Sequence, residues 1–147
     1  MRIGFPLLLA PALLAGCGEG EVPDHLRITG ADAGRGREAI VRYGCGTCHS
    51  IPGVRGARGL VGPPLEAFGQ RSLIAGQLPN RPAMLIRWIL DPPALVPDTG
   101  MPAMGVTASD ARDIAAYLYS LRAGETIVWP PEVPPDRPGY DDPGRPD

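Results

Sequence analysis

The sequence predicts an all-α domain in which three main helices and long loops surround one large, rigid bound group. Three segments have the periodicity or the capping residues of helices, and no alternating strand pattern lies between them. The connecting segments, residues 50–79 and 92–106, are rich in Gly and Pro. Loops of that length are uncommon in a compact domain unless they have a function. We therefore expect the loops to wrap a ligand that fills part of the core.

The first two predicted helices cover residues 33–43 and 82–90. Asp32 is a suitable N-cap for the first helix, and Gly44 a suitable residue to end it. Asn80 is expected to cap the second helix, and the proline that follows residue 91 prevents it from continuing.

The third predicted helix has the clearest pattern. Thr107 followed by Asp110 resembles a capping box at its start. Apolar side chains then recur at helical spacing, at Ala111, Ile114, Ala115, Leu118 and Leu121.

The amino-terminal residues predict export. Residues 1–16 contain one Arg followed by an apolar run with two prolines, which is too short to cross a bilayer because a spanning helix takes about 20 residues. The run ends in Leu14-Ala15-Gly16-Cys17, which resembles the lipobox of bacterial lipoproteins. That resemblance implies cleavage before Cys17, lipid attachment at Cys17 and a periplasmic location at a membrane. The alternative is ordinary cleavage that leaves Cys17 as a free thiol.

Composition divides the rest of the chain into a tether, a domain and a tail. Residues 17–30 are polar and contain several Gly, so we predict a lipid-anchored tether there. Residues 31–124 form the predicted domain. Residues 125–147 are rich in Pro and poor in apolar side chains, so burial cannot offset the entropy of ordering them and we expect a disordered tail.

The central motif is Cys45-Gly46-Thr47-Cys48-His49. Two thiols three positions apart on one turn can each bond to the same porphyrin, and the next residue then projects its imidazole at the iron. The motif therefore predicts one covalent haem c held by Cys45 and Cys48, with His49 as an iron ligand. A thioredoxin-like pair would require a βαβ setting, which the sequence lacks. A structural zinc site would require more ligands, and His25 in the tether is the only other His.

The sixth iron position has four candidates, Met84, Met101, Met104 and His25, unless it stays open. Met101 is favoured because it lies in a non-helical segment between two prolines, where a restricted backbone can hold a thioether in place. Met84 and Met104 are expected to pack with the helices as apolar filler. His25 is expected to be a solvated tether residue.

Residues 36–121 resemble a class I monohaem c-type cytochrome, of the bacterial type related to oxidase-linked cytochrome domains. The matching pieces follow the order of that family: Cys45 to His49, Gly62-Pro63-Pro64-Leu65, Leu78-Pro79-Asn80, Trp88, Pro92, Met101-Pro102 and Ala115-Ala116-Tyr117-Leu118. In two respects the chain departs from the pattern, since Asp98 replaces a usual Gly and no lysines surround the haem edge.

The resemblance implies a small cytochrome c fold and several specific contacts. The Pro63 carbonyl is expected to accept a hydrogen bond from the free ring nitrogen of His49, which would fix the orientation of the imidazole. Trp88 is expected beside the sulfur of the sixth ligand, with core packing as the plainer alternative. Gly36 is expected where the first helix crosses the last one near Ile114.

Charge is unevenly distributed along a chain whose formal net charge is -2. Six Arg stand against two Glu between residues 35 and 71, and ten acidic residues stand against four Arg from residue 91 onward. These charges are either simply solvated or steer a positive haem side toward an acidic redox partner. The near-neutral total gives no reason to expect nucleic acid as a partner.

These features together predict an electron carrier and not an enzyme. Because the protein fills both axial positions, no site remains for a small-molecule substrate. We expect a membrane-tethered periplasmic relay that takes electrons from a respiratory donor and delivers them to a terminal oxidase. The alternatives are an electron-transfer subunit of a periplasmic dehydrogenase complex, and a haem enzyme or gas sensor whose sixth position opens.

Overall fold

The computed structural model describes residues 22–121. Its regular elements in that part of the chain are α1 Ala33–Arg42, β1 Leu73–Ile74, β2 Leu78–Pro79, α2 Pro82–Leu90, α3 Pro92–Leu95 and α4 Ala108–Ser120, with short 3-10 turns at Asp24–Leu26, Cys45–Thr47 and Phe68–Gln70. This arrangement confirms the predicted all-α fold with long loops. None of these helices is long and apolar enough to cross a membrane.

The ends of α1 and the start of α4 follow the predicted capping. The Asp32 carboxylate accepts a hydrogen bond from the Arg35 backbone N–H at 2.7 Å. Gly44 has φ of +68°, a conformation that glycine adopts without strain, so the chain turns sharply after α1. At α4, the Thr107 hydroxyl accepts from the Asp110 backbone N–H at 3.2 Å. Both predicted N-caps are therefore confirmed.

Helices α1 and α4 pack against each other at Gly36. A Cβ placed on Gly36 would lie 2.0 Å from the Asp113 carbonyl oxygen and 3.0 Å from the Ile114 nitrogen. The two backbones thus approach closely enough that only glycine fits, as the resemblance implied. Ile40 and Ala111 are fully buried in the same interface.

Two polar clusters fix α1 against α4. The buried Asp113 carboxylate accepts hydrogen bonds from the Asp32 backbone N–H at 2.8 Å and the Arg35 Nε at 2.7 Å. The bond from Arg35 holds the pKa of Asp113 below its usual value. At the other end of α1, the Tyr43 hydroxyl donates to Asp110 at 2.7 Å, which lowers the pKa of that carboxyl. Both carboxylates are therefore stabilised in their charged form at the interface.

The prediction that Asn80 caps α2 is wrong. The N-cap residue is Arg81, which makes no side-chain cap bond. The Asn80 Nδ2 instead donates to the Phe68 and Arg71 carbonyls at 2.9 Å each, and its Oδ1 accepts from the Tyr119 hydroxyl at 3.0 Å. All of these partners are distant in sequence from α2, so the Asn80 side chain does not cap that helix. It connects the loop before α2 to α4 through the Tyr119 hydroxyl.

Three further features differ from the sequence-based expectations. β1 and β2 pair as a short antiparallel ladder where no hairpin was expected. The segment after α2 is not irregular throughout, because Asp91 caps α3 and accepts from the Ala94 backbone N–H at 3.3 Å. The end of the expected tether packs on the domain, since Leu26 and Ile28 lie in the hydrophobic core. The packed unit therefore begins before residue 31, because these two apolar side chains are buried there.

Candidate functional site

A cavity of about 300 Å³ lies between the helices and the long loops, within the usual range for ligand pockets of roughly 300–1,000 Å³. The helical part of its wall is apolar and is formed by Ile40, Leu85, Trp88, Ile89, Ile114 and Leu118. The loop part includes Cys45, Cys48, His49, Pro63 and Met101. The structure thus brings together every predicted site residue of the domain. The predicted lipid-attachment residue Cys17 lies outside the described residues.

The Cys45–Thr47 turn places the motif at the cavity wall. It begins directly after the left-handed Gly44, and the Cys48 and His49 backbone N–H groups both donate to the Cys45 carbonyl, at 3.2 and 3.0 Å. Cys45 and Cys48 are not joined as a disulfide. Burial raises the pKa of the Cys45 thiol, which is opposite to the lowered pKa of a reactive redox pair. The turn follows α1 directly and is not part of a βαβ unit in the described residues, which disfavours the thioredoxin-like alternative.

The His49 ring is held in a defined orientation by one hydrogen bond. Its Nδ1 lies 2.8 Å from the Pro63 carbonyl oxygen. Because a carbonyl can only accept, Nδ1 carries the proton and donates it, which leaves the lone pair of Nε2 for a metal. The contact implied by the resemblance is present, and it sets the tautomer that metal ligation requires.

Gly62 leaves the space that the His49 ring occupies. A Cβ on Gly62 would lie 2.3 Å from Cε1 and 2.9 Å from Nε2 of His49. The Gly62 backbone N–H also donates to the Cys48 carbonyl at 2.8 Å, and Gly59 N–H donates to the His49 carbonyl at 3.2 Å. The loop after the motif therefore folds back over it and encloses the imidazole. The sequence motif contained Gly62, but its contact with the ring could not be inferred from spacing alone.

The candidates for the sixth ligand occupy different environments. Met101 is half-buried, lines the cavity and donates its backbone N–H to the Thr99 hydroxyl at 3.2 Å. Met104 also lines the cavity and is 44% exposed, and its expected role as packing for α4 stays a prediction. Met84 packs against the core from α2, and His25 is exposed on the turn Asp24–Leu26; neither is among the lining residues. Asp98 is exposed and does not line the cavity.

Comparison with known protein families agrees with this geometry. The family model of cytochrome c matches residues 33–122 of the chain. The chain belongs to the cytochrome c family. The match begins at the start of α1 and extends past the end of α4, so it covers the whole set of elements around the cavity. It favours haem attachment over the zinc alternative.

One curated relative is cytochrome c oxidase subunit 2 of Alkalihalophilus pseudofirmus, which is 36% identical over 94 residues. The matching segment is 63% of this chain but only 27% of that subunit. The chain therefore spans about a quarter of the relative that it matches. No solved structure matches the chain.

The residues at the cavity fit the haem c of this family. Cys45 and Cys48 are three positions apart, are not paired with each other and both lie at the wall, so they hold the haem covalently. The apolar lining suits the porphyrin, and the Nδ1 bond of His49 to Pro63 leaves Nε2 available for the metal. This cytochrome c domain thus transfers electrons by means of a bound haem.

One cavity residue of this cytochrome c was missed by the sequence analysis. Arg71 is the single charged side chain that lines the cavity within residues 22–121. Its Nη2 donates to the Pro64 and Glu66 carbonyls, the second at 3.0 Å, and its guanidinium lies 5.3 Å from the centre of the Phe68 ring. The sequence showed Arg71 only as one of several basic residues, because its partners depend on how the loop folds.

Proposed function

We propose that this cytochrome c is a one-electron relay in which His49 and Met101 are the two axial ligands. The observation that carries the proposal is that one apolar cavity is lined by the Cys45–His49 motif and by Met101 from a separate loop. When bound, the haem supplies a ferric/ferrous couple, and a thioether ligand raises its potential. His49 donates its Nδ1–H to Pro63 and so keeps Nε2 free for the metal. Trp88 and the other apolar helical side chains line the site.

The test of this function is the accessibility of the sixth position. With Met101 bound, the reduced, matured protein is expected to exchange electrons quickly with small outer-sphere reagents and to bind carbon monoxide negligibly on the same timescale. Stopped-flow absorption measures both reactions. Rapid binding of carbon monoxide by the wild-type protein would instead favour the gas-sensor or enzyme alternative.

An apolar rim supports contact with another protein at the cavity. We define the rim as Leu60, Val61, Leu73 and Met104, which are large, exposed apolar side chains. Val61, Leu73 and Met104 also line the cavity, and Leu60 adjoins Val61. Exposed apolar side chains that cluster around a cavity are typical of an interaction site. We propose that a redox partner docks on this rim and that the arginines of the chain contribute steering only.

A charge placed on the rim is expected to slow electron transfer to the partner. Val61→Asp should lower the second-order rate with a purified cytochrome c oxidase by about tenfold or more, because docking would bury an unpaired carboxylate. Val41→Asp is the matched control, since Val41 is also exposed, at 62%, but lies on α1 and does not line the cavity. Stopped-flow kinetics at several salt concentrations provide the measurement. Equal rates for the two variants, or a slower rate for the control alone, would contradict docking on the rim.

We further propose that the relay is anchored on the periplasmic side of a bacterial membrane and delivers electrons to a terminal oxidase. The lipobox-like segment ending at Cys17 supports the anchor. The similarity to an oxidase subunit supports the acceptor. Intact mass spectrometry of the mature protein is expected to show acyl groups on Cys17, and Cys17→Ser should release the protein from membranes. A mature chain that starts beyond residue 17 would contradict the anchor.

A further inference from the structure

The three methionines in the described part of the chain differ in their exposure to solvent. Met104 is 44% exposed, whereas Met84 and Met101 are both partly buried and pack against the hydrophobic core. In the proposed function the sulfur of Met101 is also bonded to the iron, so its lone pair is occupied. Met104 is therefore the methionine that a small reagent in solution reaches first.

The chain around Met104 leaves its side chain open to such a reagent. The neighbouring residues Pro102, Ala103 and Gly105 are all exposed. A Cβ placed on Gly105 would meet no other atom within 4 Å, so the space beside the backbone is empty there. A molecule as small as hydrogen peroxide can thus approach Met104 without a movement of the chain.

Met104 also lies where a change in its polarity has a consequence. It supplies the only sulfur of the apolar rim, whose other members, Leu60, Val61 and Leu73, are aliphatic and resist peroxide. Oxidation converts the flexible apolar thioether of a methionine into a polar, chiral sulfoxide. Burying a polar group without a hydrogen-bond partner is unfavourable. A sulfoxide at this position would therefore oppose the burial of the rim against another protein.

We propose that Met104 is an oxidation site, at which conversion to methionine sulfoxide by hydrogen peroxide weakens docking of the redox partner on the apolar rim. The inference rests on the proposed function, which places the docking site on that rim. Because the Met101 sulfur is bound to iron, the haem site keeps its ligands while the docking surface changes. Oxidant then reduces electron flow to the partner without damage to the haem centre.

The chemical step requires only peroxide. The Met104 sulfur attacks one peroxide oxygen, an S–O bond forms as the O–O bond breaks, and the second oxygen leaves as water with both protons. The sulfur loses two electrons, which the peroxide gains. Methionine sulfoxide reductases reverse the change, one enzyme for each sulfoxide epimer. In that reversal two thiols are oxidised to a disulfide, and the sulfoxide oxygen leaves as water.

The experiment compares the matured wild-type protein with Met104→Leu and with the control Met84→Leu, which removes a methionine that does not line the cavity. Each ferric protein is treated with dilute hydrogen peroxide, freed of it and then reduced. Peptide mass spectrometry identifies the oxidised methionine, and absorption spectroscopy reports on the axial ligands. Stopped-flow kinetics measure the second-order rate with a purified cytochrome c oxidase, which is compared with the rate of the same protein before treatment.

We expect Met104 to be oxidised first in the wild-type protein and in Met84→Leu. Their rates should fall several-fold while the low-spin spectrum is retained, and the two reductases should restore the rates. Met104→Leu should have the same rate before and after treatment, because its rim contains no sulfur. If Met104→Leu does not mature, recovery of the wild-type rate with the reductases, at a dose that oxidises Met104 alone, decides the question.

Oxidation of Met84 or Met101 before Met104 would overturn the inference, as would an equal loss of rate in Met104→Leu. Slower transfer in Val61→Asp, with no effect of the Met104 sulfoxide, would also overturn it but would leave docking on the rim standing. Rapid binding of carbon monoxide by the untreated wild-type protein would instead refute the proposed function itself.

Discussion

Met101→Ala is expected to remove the sixth ligand and to lower the reduction potential. The Ala side chain cannot reach a metal, so the ferric protein should lose its low-spin His/Met spectrum and the ferrous protein should bind carbon monoxide rapidly. The potential should fall because the thioether no longer stabilises the ferrous state. Absorption spectroscopy and redox titration of the matured variant measure these changes.

Met104→Ala is the matched control. Met104 also lines the cavity but is 44% exposed at the rim, so its removal should leave the spectrum and the potential close to wild type. The opposite pattern, with Met101→Ala unchanged and Met104→Ala altered, would assign the ligand to Met104.

Gly36→Ala is expected to destabilise the domain strongly. The new Cβ would lie 2.0 Å from the Asp113 carbonyl oxygen, which belongs to the backbone of α4 and cannot rotate away. The helices must then separate, and overpacking of this kind typically costs about 1–3 kcal/mol or more. That is a large part of the roughly 5–15 kcal/mol by which domains are stable. Guanidinium denaturation followed by circular dichroism measures the change.

Gly34→Ala tests whether the effect comes from the helix crossing. Gly34 lies on the same helix, and its added Cβ would meet only the Asp32 side chain at 3.2 Å. Replacing a helical glycine with alanine at such a position should be neutral or stabilising by about 0.5–1 kcal/mol. Similar destabilisation in both variants would show that the crossing at Gly36 is not the cause.

Local signals predicted the helices that carry the fold. Asp32, Gly44 and Thr107 act within a few residues of their own helix ends, so their capping roles were visible in the sequence. Asn80 also has a residue type and a position suited to an N-cap, but the prediction that it caps α2 was wrong. Its side-chain amide instead forms hydrogen bonds with Phe68, Arg71 and Tyr119. A tertiary contact that satisfies a side chain cannot be recognised from the neighbouring residues.

The site residues divide in the same way: a short sequence motif predicts some of them, and the roles of the others depend on tertiary contacts. The spacing of Cys45, Cys48 and His49 determines their chemistry within one turn, so the motif was sufficient to predict the haem. Gly62 and Arg71 act through loop contacts, a steric one for Gly62 and carbonyl bonds for Arg71. The apolar rim combines residues from the loop after the motif, from β1 and from the loop before α4, and was likewise not apparent from the sequence.

The most direct test of the central claim is an NMR spectrum of the matured ferrous protein in which the methionine methyl groups carry ¹³C. A methyl held against a porphyrin is shifted far outside the usual methionine range by the ring current. We predict that one resonance is shifted in this way and that it disappears in Met101→Leu, while the Met84 and Met104 resonances stay near their usual positions. A shifted resonance that persists in Met101→Leu, or no shifted resonance in the wild-type protein, would contradict axial ligation by Met101.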